Sequence, residues 1–267
     1  MDKIDFKKQL GQNFIFDTNL LEFIVKSAGV TKEDKVIEIG AGAGTLSNQL
    51  ALYANQVISF EIDTSLKDRL MEVQNKHNNL KFVFQDFMQV DLSQYFENAE
   101  KIKVVANIPY YITTPIIFKL LEFGDKITSM SFMVQKEVAE RFCAESGSKM
   151  YGITSIILQS IADVKYVRTI KKECFTPPPK VDSALIRLDI NLNKYDINDL
   201  QFFNKLVHNS FAMRRKTLVN NLLNTYKISR ENIENLINKI GYNSMVRPEE
   251  ISVEKFVEFS NLLKSCL

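Results

Sequence analysis

The sequence predicts an α/β fold: a doubly wound, Rossmann-like sheet followed by a small, all-helical C-terminal domain. Three observations carry this. Up to about residue 190, short β-branched apolar runs alternate with helical patterns. The first run leads into a glycine-rich turn, Gly40-Ala41-Gly42-Ala43-Gly44, that opens a helix. Beyond it the strand pattern stops and only helical periodicity remains. Regular strand–helix–strand alternation implies right-handed crossovers and a sheet covered on both faces.

In chain order the candidate strands are Lys35–Ile39, Val57–Glu61, Leu80–Phe84, Ile102–Ala106, Ser129–Val134, Val164–Ile170 and Ala184–Ile190. They are short and apolar, as buried strands are. Helical patterns lie between the early ones, as at Thr45–Tyr53 and Ser65–Lys76. The polar stretch Asn191–Asn198 reads as a linker between domains at residues 1–190 and 191–267. Helices follow near Asp199–Phe211, Arg215–Leu223, Arg230–Ile240 and Val253–Leu263, with Gly241 at a helix end and Ser252 as a cap.

With 267 residues, 45% hydrophobic and 25% charged, the chain has the composition of a globular protein. No apolar run approaches the roughly 18 residues of a membrane span. Met1–Gly11 lacks a signal-peptide core, so a cytoplasmic location is expected. Cys143, Cys174 and Cys266 are scattered and only two histidines accompany them, which argues against a metal site or disulfide framework. Net charge is only +2, yet residues 201–267 carry ten Lys/Arg against six acids. A basic domain on a near-neutral chain points to a polyanion, although a solvated helical face explains the charge equally well.

A glycine turn between strand and helix lets a ligand approach the backbone closely. Alone it also fits a dinucleotide site, but Thr45 stands where that motif's third glycine belongs. Two acids sharpen the reading. Glu61 ends the second strand, where a carboxylate accepts both hydroxyls of a ribose. Asp86 follows the third, where an acid accepts a hydrogen bond from an adenine amine. A dinucleotide enzyme has no comparable need for the second acid. Gly40, Gly42, Glu61 and Asp86 together read as an S-adenosylmethionine pocket in a class I methyltransferase sheet.

The fourth strand runs into Asn107-Ile108-Pro109-Tyr110, which resembles the Asx-x-Pro-aromatic signature of amino-methyltransferases. The residue types suit the chemistry. An exocyclic adenine amine is a poor nucleophile because its lone pair is delocalised into the ring. Two acceptors, the Asn107 side-chain oxygen and the Ile108 carbonyl, can hold its hydrogens and leave the lone pair aimed at an electrophile. Pro109 stiffens the turn, and Tyr110 offers a face for the base. Catalysis is then largely orientation.

These motifs, with Gly11-Gln12-Asn13-Phe14, Phe132–Val138, Phe175–Ala184 and Phe211–Leu218, resemble the small-subunit ribosomal RNA adenine N6,N6-dimethyltransferase family, known for its kasugamycin-sensitivity phenotype. The resemblance covers nearly the whole chain. It implies dimethylation of two adjacent adenosines near the 3′ end of small-subunit ribosomal RNA, on a partly assembled subunit. It adds Asn13 and Ile15 to Gly40, Gly42, Glu61, Asp86 and Asn107 around the cofactor. Phe175, ahead of three prolines, is expected either to stack on the target base opposite Tyr110 or to be a core residue. Lys180 and the cluster Arg214-Arg215-Lys216 are candidate phosphate contacts. One position departs: the family usually has Asn after the tyrosine, and this chain has Tyr111. The alternatives are a large-subunit adenine methyltransferase conferring macrolide resistance and a mainly non-catalytic ribosome assembly factor.

Overall fold

The computed structural model describes residues 11–96, 101–213, 215–223 and 225–267. Its strands are β1 (Phe14–Ile15), β2 (Lys35–Ile39), β3 (Gln56–Glu61), β4 (Leu80–Phe84), β5 (Ile102–Asn107), β6 (Ile127–Gln135), β7 (Ala162–Ile170), β8 (Phe175–Thr176) and β9 (Ser183–Ile190). The helices are α1 (Thr18–Ser27), α2 (Thr45–Tyr53), α3 (Lys67–Gln74), α4 (Ser93–Phe96), α5 (Thr113–Leu121), α6 (Lys136–Phe142), α7 (Ile153–Ile161), α8 (Leu200–Ser210), α9 (Leu218–Leu223), α10 (Arg230–Lys239) and α11 (Val253–Lys264).

Seven strands form one sheet in the order β4-β3-β2-β5-β6-β9-β7. β2 through β6 pair in parallel, and β9 runs antiparallel to β6. The order runs outward from β2 in one direction and from β5 in the other. Between them the chain switches sides, and the crevice beyond their carboxyl ends is where an open α/β sheet binds ligands. Val36, Ile37, Val104 and Val105 on these two strands are fully buried, each worth roughly 1.5–3 kcal/mol over exposure. This layer fixes the spacing of the two loops that follow it.

A second, two-stranded sheet was not foreseen from sequence: β1 pairs antiparallel with β8, Ile15 opposite Phe175. Two-residue strands have no periodicity to betray them. This pairing bears on Phe175. Of the two readings of Phe175, its 2% exposure and its place in the core cluster with Phe14, Ile15 and Ile170 favour the core residue over the stacking one.

The chain divides into two compact units, one holding residues up to Ala139 plus Lys165–Ile190, the other Glu140–Val164 plus Asn191–Leu267. The second thus takes in α7, which lies within the expected first domain. In this unit Asp199 and Ser252 cap α8 and α11 through their side chains. Gly241, at φ +90, follows the end of α10 with its N–H on the carbonyl of Asn238. Helix α9 begins at Leu218 rather than Arg215, because Thr217 Oγ1 accepts the N–H of Asn220 at 3.4 Å. Arg215 and Lys216 therefore sit, exposed, in the turn before the helix. Buried Asn221 holds that turn: its Nδ2 donates to Ser210 O at 2.6 Å and its Oδ1 accepts from Met213 N at 2.9 Å. Among the described residues no helix is long and apolar enough to cross a membrane.

Candidate active site

The switch between β2 and β5 opens into a cleft of about 210 Å³, built entirely within the first unit. Its floor is the glycine turn. Gly40 N–H and Ala41 N–H both donate to Phe60 O, at 2.8 and 3.0 Å, tying the end of β2 to β3. Gly42 has φ +55, and a Cβ there would lie 2.7 Å from the Phe14 ring. The turn needs glycine at this position both for its left-handed backbone and for the close seat of β1.

Glu61, only 5% exposed, is fixed on both oxygens: Oε2 accepts Gly42 N–H at 2.7 Å and Oε1 accepts Asp63 N–H at 2.8 Å. Burial raises its pKa, and the two N–H donors pull it back toward the ionised form. Each oxygen retains a further lone pair to offer a ligand hydroxyl. Asp86 Oδ1 accepts Met88 N–H at 2.9 Å, capping a short 3-10 turn. Lys119 of α5 anchors the same turn by donating to the carbonyls of Phe87, Met88 and Val90 at 2.7–2.8 Å.

On the other wall, Asn107 ends β5. Its Nδ2 donates to Asn13 O at 2.7 Å. Because that partner is a carbonyl, only the amino end of the carboxamide can face it, and the orientation of Asn107 follows. Tyr110 sits in a 3-10 turn, Tyr110–Ile112, and its hydroxyl lies 2.5 Å from buried Ser183 Oγ. Burial raises the Tyr110 pKa. Ser183 was not singled out from sequence. It belongs to the Phe175–Ala184 run, but a serine at the start of a strand carries no signal of its own.

The segment Gly11–Ile15 lines the cleft and is tied down at three points. Gln12 Nε2 donates to Asp63 Oδ2 at 2.8 Å, Asn13 O holds Asn107, and Ile15 O accepts Thr45 Oγ1 at 2.7 Å. The Asn13 side chain itself turns back to Gly11 O. Of the expected residues, Asn13, Ile15, Gly40, Gly42, Glu61, Asp86, Asn107, Ile108, Pro109 and Tyr110 all line this cleft. Phe175 does not, and neither does exposed Lys180. Arg214 lies outside the described residues.

One lining residue, Glu38, lies inside β2 and carried no functional reading in the sequence. Glu38 is wholly buried beneath the turn. Its Oε2 accepts from Ser47 Oγ and Ser59 Oγ at 2.5 and 2.6 Å, while Oε1 has no partner. Burial, opposed by the serines and reinforced by Glu61, pushes its pKa up to about 8.

A family model described as ribosomal RNA adenine dimethylase matches residues 3–265. The chain belongs to this family. This chain is 42% identical over 270 residues to ribosomal RNA small subunit methyltransferase A of Bacillus licheniformis, covering 98% of this chain and 92% of that one. It is 40% identical over 270 residues to the Clostridium botulinum protein of the same name, covering 100% and 98%. Among solved structures, a dimethyladenosine transferase from Plasmodium falciparum superposes with a TM-score of 0.81 at 24% identity, covering 95% of this chain and 98% of that one. The 23S rRNA methyltransferase ErmE superposes at 0.74 with 26% identity, covering 94% and 100%. The chain is therefore an S-adenosylmethionine-dependent methyltransferase of class I fold. The residues present fit that cofactor: a glycine floor, a carboxylate held rigid at the end of β3, and an acid at the end of β4.

Proposed function

We propose that this chain dimethylates the N6 amines of two adjacent adenosines near the 3′ end of small-subunit ribosomal RNA, during subunit assembly in the cytoplasm. The observation that carries the reading is the pinned carboxamide of Asn107. With Nδ2 committed to Asn13 O, Oδ1 is the atom left to accept a hydrogen from an amine. The Ile108 carbonyl takes the second hydrogen, and the ring of Tyr110, tethered through Ser183, supports the base. The choice of small-subunit RNA rests on the relatives named above, which are similar along their full length.

S-adenosylmethionine supplies a methyl group made electrophilic by its sulfonium. Gly40, Gly42, Asn13 and Ile15 would surround its methionine end, Glu61 would take the ribose hydroxyls and Asp86 the adenine amine. The residues around Asn107 contribute orientation: they hold the amine with its lone pair free, and the proton it loses on methylation passes to solvent. After one methylation a single hydrogen remains, and one acceptor still suffices to orient it, so the same pair of groups serves both transfers. Lys180, Arg215 and Lys216, with Arg214, would contact RNA phosphates.

The test is to incubate the protein with methyl-labelled cofactor and ribosomal subunits that lack the modification, then separate subunits and digest the RNA. Label in dimethyladenosine of the small subunit is expected. Label in the large subunit would instead establish the macrolide-resistance reading, and no label with retained particle binding would establish a binding factor.

A further inference from the structure

We infer that Tyr111 forms a stacking platform for the nucleobase next to the adenosine being methylated. The inference rests on the function proposed above and adds a second base subsite at the mouth of the cleft.

Tyr110 and Tyr111 are consecutive in a 3-10 turn, where neighbouring side chains diverge by about 120°. One is therefore turned in and the other out. Tyr110 reaches back to buried Ser183, whereas Tyr111 is 63% exposed although it lines the cleft. A single exposed aromatic is unremarkable on a protein surface. Here its place gives it meaning, because it is the residue directly after the motif that holds the target amine.

The ring also lies close to the Gly11–Ile15 segment. Gly11 has φ +62, and a Cβ placed there would meet Tyr111 Cδ1 and Cε1 at 3.6 and 3.7 Å. The ring thus stands beside that segment, with space between them for no more than a methyl group, and most of it faces solvent.

RNA supplies the occupant. An adenosine drawn into a cleft leaves its stack, and its neighbour then exposes a π-face. An aromatic ring beside the cleft mouth recovers that lost stacking without reading the base's identity.

The test measures KM and kcat on small subunits lacking the modification, together with cofactor affinity, for the wild type, Tyr111→Phe, Tyr111→Ala and Tyr111→Asn. Tyr111→Phe should stay within about twofold, while Tyr111→Ala and Tyr111→Asn raise KM about tenfold. Cofactor affinity should be unchanged in all. A second arm uses particles in which one of the two adjacent adenosines is replaced by uridine, a poorer stacker. Wild-type KM for the remaining adenosine should rise several-fold, and that of Tyr111→Ala should not change further. Wild-type KM in Tyr111→Ala, or equal damage from Tyr111→Phe, overturns the platform while leaving the substrate reading intact. A wild-type enzyme that labels no small subunit overturns the substrate reading, and the platform with it.

Discussion

The side chain of Asn107 is held by the backbone of Asn13, ninety-four residues earlier in the chain, through a 2.7 Å hydrogen bond. The Gly11–Ile15 segment thereby decides which end of the carboxamide faces the cleft. Asn107→Ala should leave the protein folded and still able to bind small subunits, and lower methyl transfer by about two orders of magnitude, as loss of a preorganised polar group does. Asn107→Asp should be nearly as poor, since a carboxylate has no donor for Asn13 O and repels it. Near-normal single-turnover rates in either variant would remove Asn107 from the chemistry.

Glu61 receives two backbone N–H groups. Glu61→Gln is therefore no conservative change: its one carbonyl oxygen can satisfy one donor, and its amino end then confronts the other. Glu61→Ala should weaken S-adenosylmethionine binding by about 1.5–3 kcal/mol for a lost charged hydrogen bond, and Glu61→Gln by at least as much. Calorimetry on folded variants showing wild-type affinity would exclude Glu61 from the pocket.

Glu38 predicts a pH dependence of stability. Its folded pKa of about 8 lies above the ordinary value. Between the two, the folded chain keeps a proton that the unfolded chain has released, so stability falls as pH rises through that window and levels off above it. Glu38→Gln mimics the protonated acid and removes this contribution. The wild type should lose a few kcal/mol (about 1.4 per pK unit) relative to Glu38→Gln between pH 5 and 9. Parallel Tm–pH curves for the two proteins would show that Glu38 is not protonated in the fold.

Arg215 and Lys216 stand exposed on a turn fastened by Asn221. Neutralising both should weaken binding to small subunits and reduce the slope of log affinity against log salt by about one per lost phosphate contact. Cofactor affinity should be unaffected. An unchanged salt slope would make them a solvated surface.

Much of this molecule was legible in the sequence because its strands are buried and short. Lys35–Ile39 and Leu80–Phe84 fall at the expected residues, and the motifs at Gly40, Glu61, Asp86 and Asn107 follow strand ends that meet at one crevice. What escaped depends on long-range partners. Phe175 reads as a loop aromatic until β1 covers it, and Ser183 is an ordinary serine until Tyr110 reaches it. The start of α9 hinges on one capping threonine, and the placing of α7 on packing that no local pattern records.

The glycines of the turn also say something about reading other sequences. Gly42 is required by the Phe14 ring, and Gly44, at φ +75, by Leu70, whose Cδ2 lies 2.9 Å from where a Cβ would stand. Both demands are made by the protein's own side chains. A descendant that had abandoned methylation for a scaffolding role would still be obliged to keep these two glycines, and would be free to lose Asn107. The glycine signature is therefore a marker of descent and shape, and the asparagine is the position at which to judge whether a given descendant remains an enzyme.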